Sequence, residues 1–298
     1  MGLLIALMGA PFLLGVINRT KALFAGRKGR PLFQAYFDLA KLLRKGAVYS
    51  RTTTWVFRAG PVVGLAAVLA ASILVPFGGR AALLAFPSDL VLFAAFLALG
   101  RFFTVLAALD TGSSFEGMGS SREATFSALA EPALLLALAV VARLTGELSL
   151  SGMFAGLSFS SWALAPAPLT LSCAALFVVL LAENARIPVD DPETHLELTM
   201  IHEAMVLDHS GPDLAFIQYG AALKFWVLGS LLVGILLSAQ GLNAWAGYAV
   251  SLAGLFALAV AVGAVESLMA RLRLLVVPRL LLGAAACSLV ALLLAVWS

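Results

Sequence analysis

Charged residues are scarce in this sequence: 12% of 298 positions are Asp, Glu, Lys or Arg, against 62% hydrophobic. A water-soluble domain carries roughly a quarter charged residues. Polar side chains are therefore too few to cover the apolar surface in water, and a soluble globular fold is excluded. Cysteine is nearly absent too. Cys173 and Cys287 both lie inside apolar runs and match neither a disulfide framework nor a CxxC-type metal or iron–sulfur pattern. No glycine-rich phosphate loop follows a strand, and no nucleic-acid motif is present. The opening Met1-Gly2-Leu3-Leu4-Ile5 lacks the basic n-region and small-residue cleavage site of a signal peptide, so it reads as a retained span.

What the sequence has instead is long apolar runs. A hydrocarbon core about 30 Å thick needs roughly 20 apolar residues in helical form. Segments near 2–18, 60–77, 88–109, 124–143, 168–183, 222–240, 243–265 and 277–297 qualify, giving an all-α polytopic membrane protein of eight spans in a single domain. An even number of spans puts both termini on one side. All but three (Arg80, Arg101 and Arg143) of the 19 Lys and Arg fall on the odd-numbered connections or their flanks. The positive-inside bias places those connections in the cytoplasm of a bacterial or archaeal cell and both termini on the periplasmic side. The same confinement explains the net charge of +3 without nucleic-acid binding.

The first connection holds its own helix, expected over 31–46. Pro31 suits a first helical position, Gly46 a terminator, and Phe33, Tyr36, Phe37, Ala40 and Leu43 recur at helical spacing. At about 15 residues it is too short to span and is expected at the cytoplasmic interface, as a docking platform or a lipid-surface anchor.

Ionisable residues at membrane depth each cost roughly 2.5–3.5 kcal/mol or more. Arg101 precedes the end of the third span at Asp110 by nine residues, and Glu131 follows the start of the fourth at Ser121 by ten. In antiparallel neighbours both side chains lie about 13–15 Å from the cytoplasmic end, placed to pair as a structural lock or as part of a proton relay. Ser120-Ser121-Arg122-Glu123 has the pattern of a capping box opening the fourth span, after a flexible Gly- and Ser-rich loop over 110–119. Glu183 and Glu266 close the fifth and seventh spans near the same face, and with Glu131 they outline an acidic route into the bundle.

The fifth connection, 184–221, holds seven of the 16 acidic residues (Asp190, Asp191, Glu193, Glu197, Glu203, Asp208 and Asp213) and all three histidines. Asp191-Pro192-Glu193 is a helix start, expected to run to about Leu207. Gly211-Pro212 would end it, with a short second helix from Asp213 leading to the sixth span. His195, His202 and His209 are about 10.5 Å apart along such a helix, too far for one metal ion. His202-Glu203 is followed by Val206 rather than a second histidine, so no HExxH site exists. Acid–base service beside the carboxylates, or contact with a partner subunit, remains. Glu193 and Glu197 share a face with Asp190 or Asp191 nearby; repulsion among them would raise one pKa and hold a proton. Arg186 and the basic first loop are the alternative means of neutralising them.

The stretch Ala182-Glu183-Asn184-Ala185-Arg186-Ile187-Pro188-Val189-Asp190, with Pro192-Glu193 and Glu197-Leu198, resembles the signature loop of subunit 1 of respiratory complex I. Residues 198–207, Ser210-Gly211, the 109–113 and 119–123 segments and Glu131-Pro132 are more similar to the hydrogenase-4 component C and formate hydrogenlyase subunit 4 branch of that family. Arg27-Lys28-Gly29-Arg30-Pro31 occupies the place of the complex I Arg-x-Gly-Pro segment. The resemblance implies eight helices with an interfacial helix. It also implies a non-catalytic subunit without cofactor, joining a nickel–iron hydrogenase-like large subunit and iron–sulfur subunits to antiporter-like membrane subunits. Nickel–iron chemistry and iron–sulfur clusters would reside in those partners.

By the same resemblance Glu131, Glu183, Asp190, Glu193, Glu197, Asp208 and Glu266 match the acidic path and loop. Arg101, His195, His202 and Glu203 join them as proton-coupling candidates. Arg27, Lys28, Arg30, Asp110, Arg122, Arg186, Asp191 and His209 are the candidates for contact with the peripheral arm. Two departures, His195 in place of a loop glutamate and a longer loop around Glu203, weigh against a quinone site. The other readings are a quinone-site-forming subunit and a passive anchor. A secondary transporter would need an internal repeat, and the halves show none.

Overall fold

The computed structural model describes residues 1–190 and 200–297, so Asp191, Glu193, His195 and Glu197 lie outside the described residues. The described chain is helices and connections without a β-strand. Eight helices are long and apolar enough to cross a membrane: α1 (Gly2–Phe24), α3 (Trp55–Leu74), α4 (Asp89–Asp110), α5 (Ser114–Thr145), α8 (Pro166–Glu183), α9 (Gly211–Leu236), α10 (Ala244–Leu268) and α11 (Val277–Trp297). Three shorter helices, α2 (Gln34–Leu43), α6 (Leu150–Gly156) and α7 (Phe159–Leu164), sit in the connections. The protein is a multi-pass membrane protein, as the hydropathy runs require.

Helix α9 is the central post. Buried residues make up 72% of its most apolar stretch, more than in any other spanning helix. Helices α1, α3, α8 and α10 pack around it, while α11 packs on α5 and α8 at the periphery. Close approach depends on small residues, because between apolar helices in lipid the gain comes from packing rather than from a hydrophobic drive. At Gly60 a Cβ would stand 2.6 Å from the Ala107 Cβ and 3.2 Å from the Phe103 carbonyl, so α3 and α4 meet only because that side chain is missing.

Polar side chains set the helix ends. Asp110, at the end of α4, accepts from the backbone N–H of Thr54 (2.7 Å) and of Phe57 (3.2 Å) and from the Thr54 hydroxyl (2.9 Å), capping α3. Buried Asp89 caps α6 at the other end of the bundle through Leu150 N–H at 2.6 Å and the Ser149 hydroxyl at 3.0 Å. Asn243 accepts from Ala246 N–H to start α10.

Four sequence expectations change. The capping box at Ser120 is not formed: α5 begins at Ser114, and Ser120 lies inside it with its hydroxyl on the Glu116 carbonyl at 2.8 Å. The Gly/Ser-rich stretch is therefore helix rather than flexible loop from residue 114 on. Its small residues serve packing: a Cβ on Gly119 would stand 3.0 Å from Ala204 Cβ and from the Ile201 carbonyl. The short helix from Asp213 and the sixth span are one helix. It starts at Gly211, whose positive φ of 57° and tight contact with the Gly46 carbonyl exclude a side chain, and Pro212 pre-sets its first turn. The helix expected to run to Leu207 is, in its described part, only a 3-10 turn over Glu203–Val206. The helix of the first connection exists but is shorter, with no buried residue, packed on α9 and joined to α1 through Tyr36 and Phe33.

A larger side chain at Gly60 has to push α3 from α4. Gly60→Val is expected to lower stability by about 1–3 kcal/mol. Gly117→Ala, in open space, should leave it unchanged or slightly higher. Thermal unfolding of the purified protein in detergent compares the two, and equal midpoints would contradict the packing.

Candidate functional site

Arg101, well inside α4, is enclosed by carboxylates. Its Nη1 pairs with Glu131 of α5, its Nη2 lies 2.7 Å from Glu183 Oε1 at the end of α8, and its Nε is 3.7 Å from Glu123 Oε1. The other oxygen of Glu183 is 2.6 Å from Lys224 Nζ on α9. A continuous ion network, Glu131–Arg101–Glu183–Lys224, thus joins four spanning helices. The expected pairing of Arg101 with Glu131 is present, and Glu183 is joined to it. Three carboxylates meet two cations, leaving one negative charge unbalanced. The side chain of Glu131 is 42% exposed, whereas that of Glu183 is 4% exposed.

Lys224 and Glu123 were not among the expected site residues. Lys224 reads as a membrane flank when the sixth span is started at 222. Once α9 starts at Gly211, Lys224 sits about 20 Å along the helix. Glu123 reads as a capping partner only while the helix is thought to start at Ser120.

A second cluster holds Glu266, its side chain fully buried, between Arg186 Nη1 at 3.3 Å and Lys21 Nζ at 3.2 Å. Asp190 forms a third. Arg271 Nη2 lies 2.8 Å from one oxygen, while the other accepts from the N–H groups of Ile201 (3.2 Å) and His202 (3.1 Å). This carboxylate holds the backbone at residues 201 and 202. Arg122 ties the same segment to α5 by donating to the Met200 carbonyl at 2.8 Å. Fully buried Glu116 accepts from Asp208 N–H at 3.1 Å, while the Asp208 residue itself is exposed.

Of the residues expected to meet a peripheral arm, Asp110, Arg122 and Arg186 make contacts within the chain, and Arg27, Lys28 and Arg30 are exposed on the first connection. His209 is buried and stacks on Phe57, ring centroids 4.0 Å apart and planes at 8°. Burial brings its pKa down from 6.5 to about 4, against the pull of Asp213 and Asp208. His202, beside the network, is likewise pushed below its usual value by burial, opposed by Glu123.

His202 stands where two cavities meet. One, about 100 Å³, is bordered by Arg101, Glu123, Glu183, Lys224 and Asn184. The other, about 440 Å³, lies between α1, α2, α9 and the 202–209 segment, with Arg30, Asp38, Arg186, Glu203 and Gln218 on its wall. The arrangement can exchange protons between a solvent-facing connection and a buried carboxylate–cation chain, and it can seat a mainly apolar molecule beside His202.

An eight-span helical bundle with paired charges at membrane depth defines a polytopic membrane protein. The family model described as NADH dehydrogenase matches residues 1–296, and the chain belongs to the complex I subunit 1 family. It is 31% identical over 278 residues to formate hydrogenlyase subunit 4 of Escherichia coli (strain K12), covering 91% of this chain and 89% of that one. It is 33% identical to hydrogenase-4 component C of the same organism, covering 78% and 72%. A subunit of the NADH-quinone oxidoreductase of Rubrobacter xylanophilus is 33% identical over 63% of this chain and 56% of its own. The fold matches a chain in the structure of the membrane-bound sulfane sulfur reductase, an archaeal respiratory membrane complex, with a TM-score of 0.85, 21% identity and 98% and 96% coverage.

Two outcomes follow for the site. Arg101→Met strips three carboxylates of their shared cation and is expected to cost about 3–5 kcal/mol, with a much smaller loss for Glu131→Gln; thermal unfolding in detergent separates the two. His209 contributes stability only while neutral. Its folded pKa lies below the unfolded one, so the contribution is complete above pH 6.5 and is lost towards pH 4. The acid loss in wild type should exceed that in His209→Phe by up to roughly 3 kcal/mol, and parallel pH–stability curves would refute the assignment.

Proposed function

We propose that this chain is the membrane subunit of a nickel–iron hydrogenase-type, complex I-related complex that turns electron transfer in a docked peripheral arm into proton or sodium movement. The observation that carries this reading is the Glu131–Arg101–Glu183–Lys224 network, with His202 at the end facing the 184–210 connection. That connection and the exposed Arg27, Lys28 and Arg30 form the cytoplasmic face, against which a hydrogenase-like large subunit and iron–sulfur subunits dock. Both termini are periplasmic. Antiporter-like membrane subunits lie beside the bundle.

The chain's own residues do electrostatic work only. A charge change beside the connection alters the protonation of the loop carboxylates, among them Glu193 and Glu197, and of His195 or His202. Glu203 and Asp208 extend the same acidic surface. With one carboxylate more than it has cations, the network takes up or releases a proton in response, and Arg101 redistributes between Glu131, Glu183 and Glu123. The cluster at Glu266 and the Arg271–Asp190 pair hold the connection against the bundle while this happens. No bond of a substrate is made or broken in this chain.

A second reading rests on the 440 Å³ cavity. Its volume falls in the range of about 300–1,000 Å³ typical of small-molecule sites, and its wall is largely apolar. In that reading the subunit forms part of a quinone site, with His202 and Arg186 as the polar groups.

The deciding experiment uses the whole complex in sealed vesicles. Glu131→Gln together with Glu183→Gln is expected to keep most electron transfer, whether hydrogen evolution or acceptor reduction, while the attached ion gradient falls about tenfold, as loss of proton carriers predicts. Normal coupling in that double variant would sink the proposal. Turnover with a soluble quinone that Arg186→Met or His202→Leu abolishes would select the second reading.

A further inference from the structure

At the end of the bundle that carries Met1, opposite the ion network, lie two cavities of about 80 Å³ each. One is bordered by Gly79, Ser151 and Gln240, the other by Ser72, Trp226 and Tyr248; Arg80 and Ser230 border both. Ser230 is 4% exposed, and its hydroxyl oxygen has no hydrogen-bond partner among the described residues. A buried hydroxyl left unsatisfied costs about 1–3 kcal/mol. Water is the available partner, since a cavity of roughly 10–15 Å³ by the same kind of measure holds one molecule. Both cavities exceed that severalfold.

The chamber bordered by Lys224 and Arg101 approaches from the other end and is bounded below by Val68 and Leu97. On α3, Ser72 lies one turn beyond Val68, about 6 Å along the axis. The interval is apolar: Val68, Ala71, Leu223 and Val227 are buried members of one core cluster. Cavity space thus reaches from both ends to within about one helical turn, across a hydrophobic constriction of the kind that gates by wetting and drying.

We propose that this chain contains its own proton-exit path, a hydrated crevice ending at Ser72 and Ser230 and closed from the Lys224 chamber by the Val68–Val227 constriction. The proposal rests on the coupling function above and extends it, since the network then discharges across this subunit as well as sideways into neighbours. When the constriction wets, a proton leaves the Lys224 ammonium for water beside Ser72 and Ser230, and Lys224 is reprotonated from the chamber carboxylates. No electron or co-reactant is needed. The crevice selects protons over metal cations. A guanidinium borders both cavities, no carboxylate does among the described residues, and hydroxyls with water pass a proton without seating a cation.

The test uses the full complex in sealed membrane vesicles of both orientations, with Cys173→Ala and Cys287→Ala as background. Ser230→Cys and Ser72→Cys are exposed to an anionic, membrane-impermeant methanethiosulfonate, and mass spectrometry reads the modified peptide. Reaction needs a water-exposed thiolate, so labelling from the termini side is expected to be about tenfold faster than from the other side and than in the buried control Leu231→Cys. Absence of label on both serine variants, or equal rates with the control, would overturn the crevice. A second measurement opens the constriction. Val68→Ser with Val227→Ser should speed the decay of an imposed pH gradient about fivefold, leaving a sodium gradient intact, because wetting removes the barrier. Unchanged decay would overturn the gate. Both measurements are made without electron donor, so their failure is distinct from failure of redox coupling in the Glu131 and Glu183 variants.

Discussion

Arg101 needs carboxylates around it because a guanidinium inside a helical bundle cannot lose its proton. Meeting that need decides how the bundle is assembled. Glu131 is drawn from α5, Glu183 from α8 and Glu123 from the first part of α5, and Glu183 recruits Lys224 from α9. Four helices are thereby held in one register by contacts that tolerate little sliding. Apolar residues of similar volume would often serve stability as well or better. A network with surplus negative charge is therefore better explained by what it does than by what it holds.

Three satellite clusters repeat the theme at the end where the chain is most polar. Glu266 sits between Lys21 and Arg186, Asp190 between Arg271 and two backbone N–H groups, and Glu116 receives the Asp208 N–H. Glu266 anchors the 184–210 connection to α10, Glu116 anchors it to α5, and Asp190 ties it to Arg271 in the connection between α10 and α11. The opposite end is held differently, by capping from Asp89, the tight Gly78-Gly79 turn and small residues against aromatic rings. The two ends differ in chemistry: one concentrates buried ion pairs around the 184–210 connection, the other carries buried hydroxyls with exposed Arg80 and Arg143.

His202 joins these parts. It borders both the network chamber and the large cavity beneath α2, and its backbone is fixed by Asp190. Asn184 borders both cavities as well, so these two polar side chains stand between the large cavity and the network. The relatives at 31% and 33% identity are named as subunits of hydrogen-linked complexes and the structural relative belongs to a respiratory membrane complex.

Sequence alone determined the number of spans, because eight runs of apolar residues have no other solution in water or lipid. It also determined that Arg101 and Glu131 lie at matching depth, since antiparallel neighbours count residues from a shared end at 1.5 Å each. The resemblance carried by residues 182–211 pointed to the right family. Tertiary structure alone decided the rest. Helix α5 starts at Ser114 because Gly119 and Ser120 must admit the backbone of residues 201–205, a long-range packing demand that local capping patterns do not encode. Lys224 became a site residue only when α9 was seen to begin at Gly211. Charges far apart in sequence, such as Glu266 with Lys21 and Arg186, pair because burial takes them away from water, and which helix supplies a partner depends on packing rather than spacing.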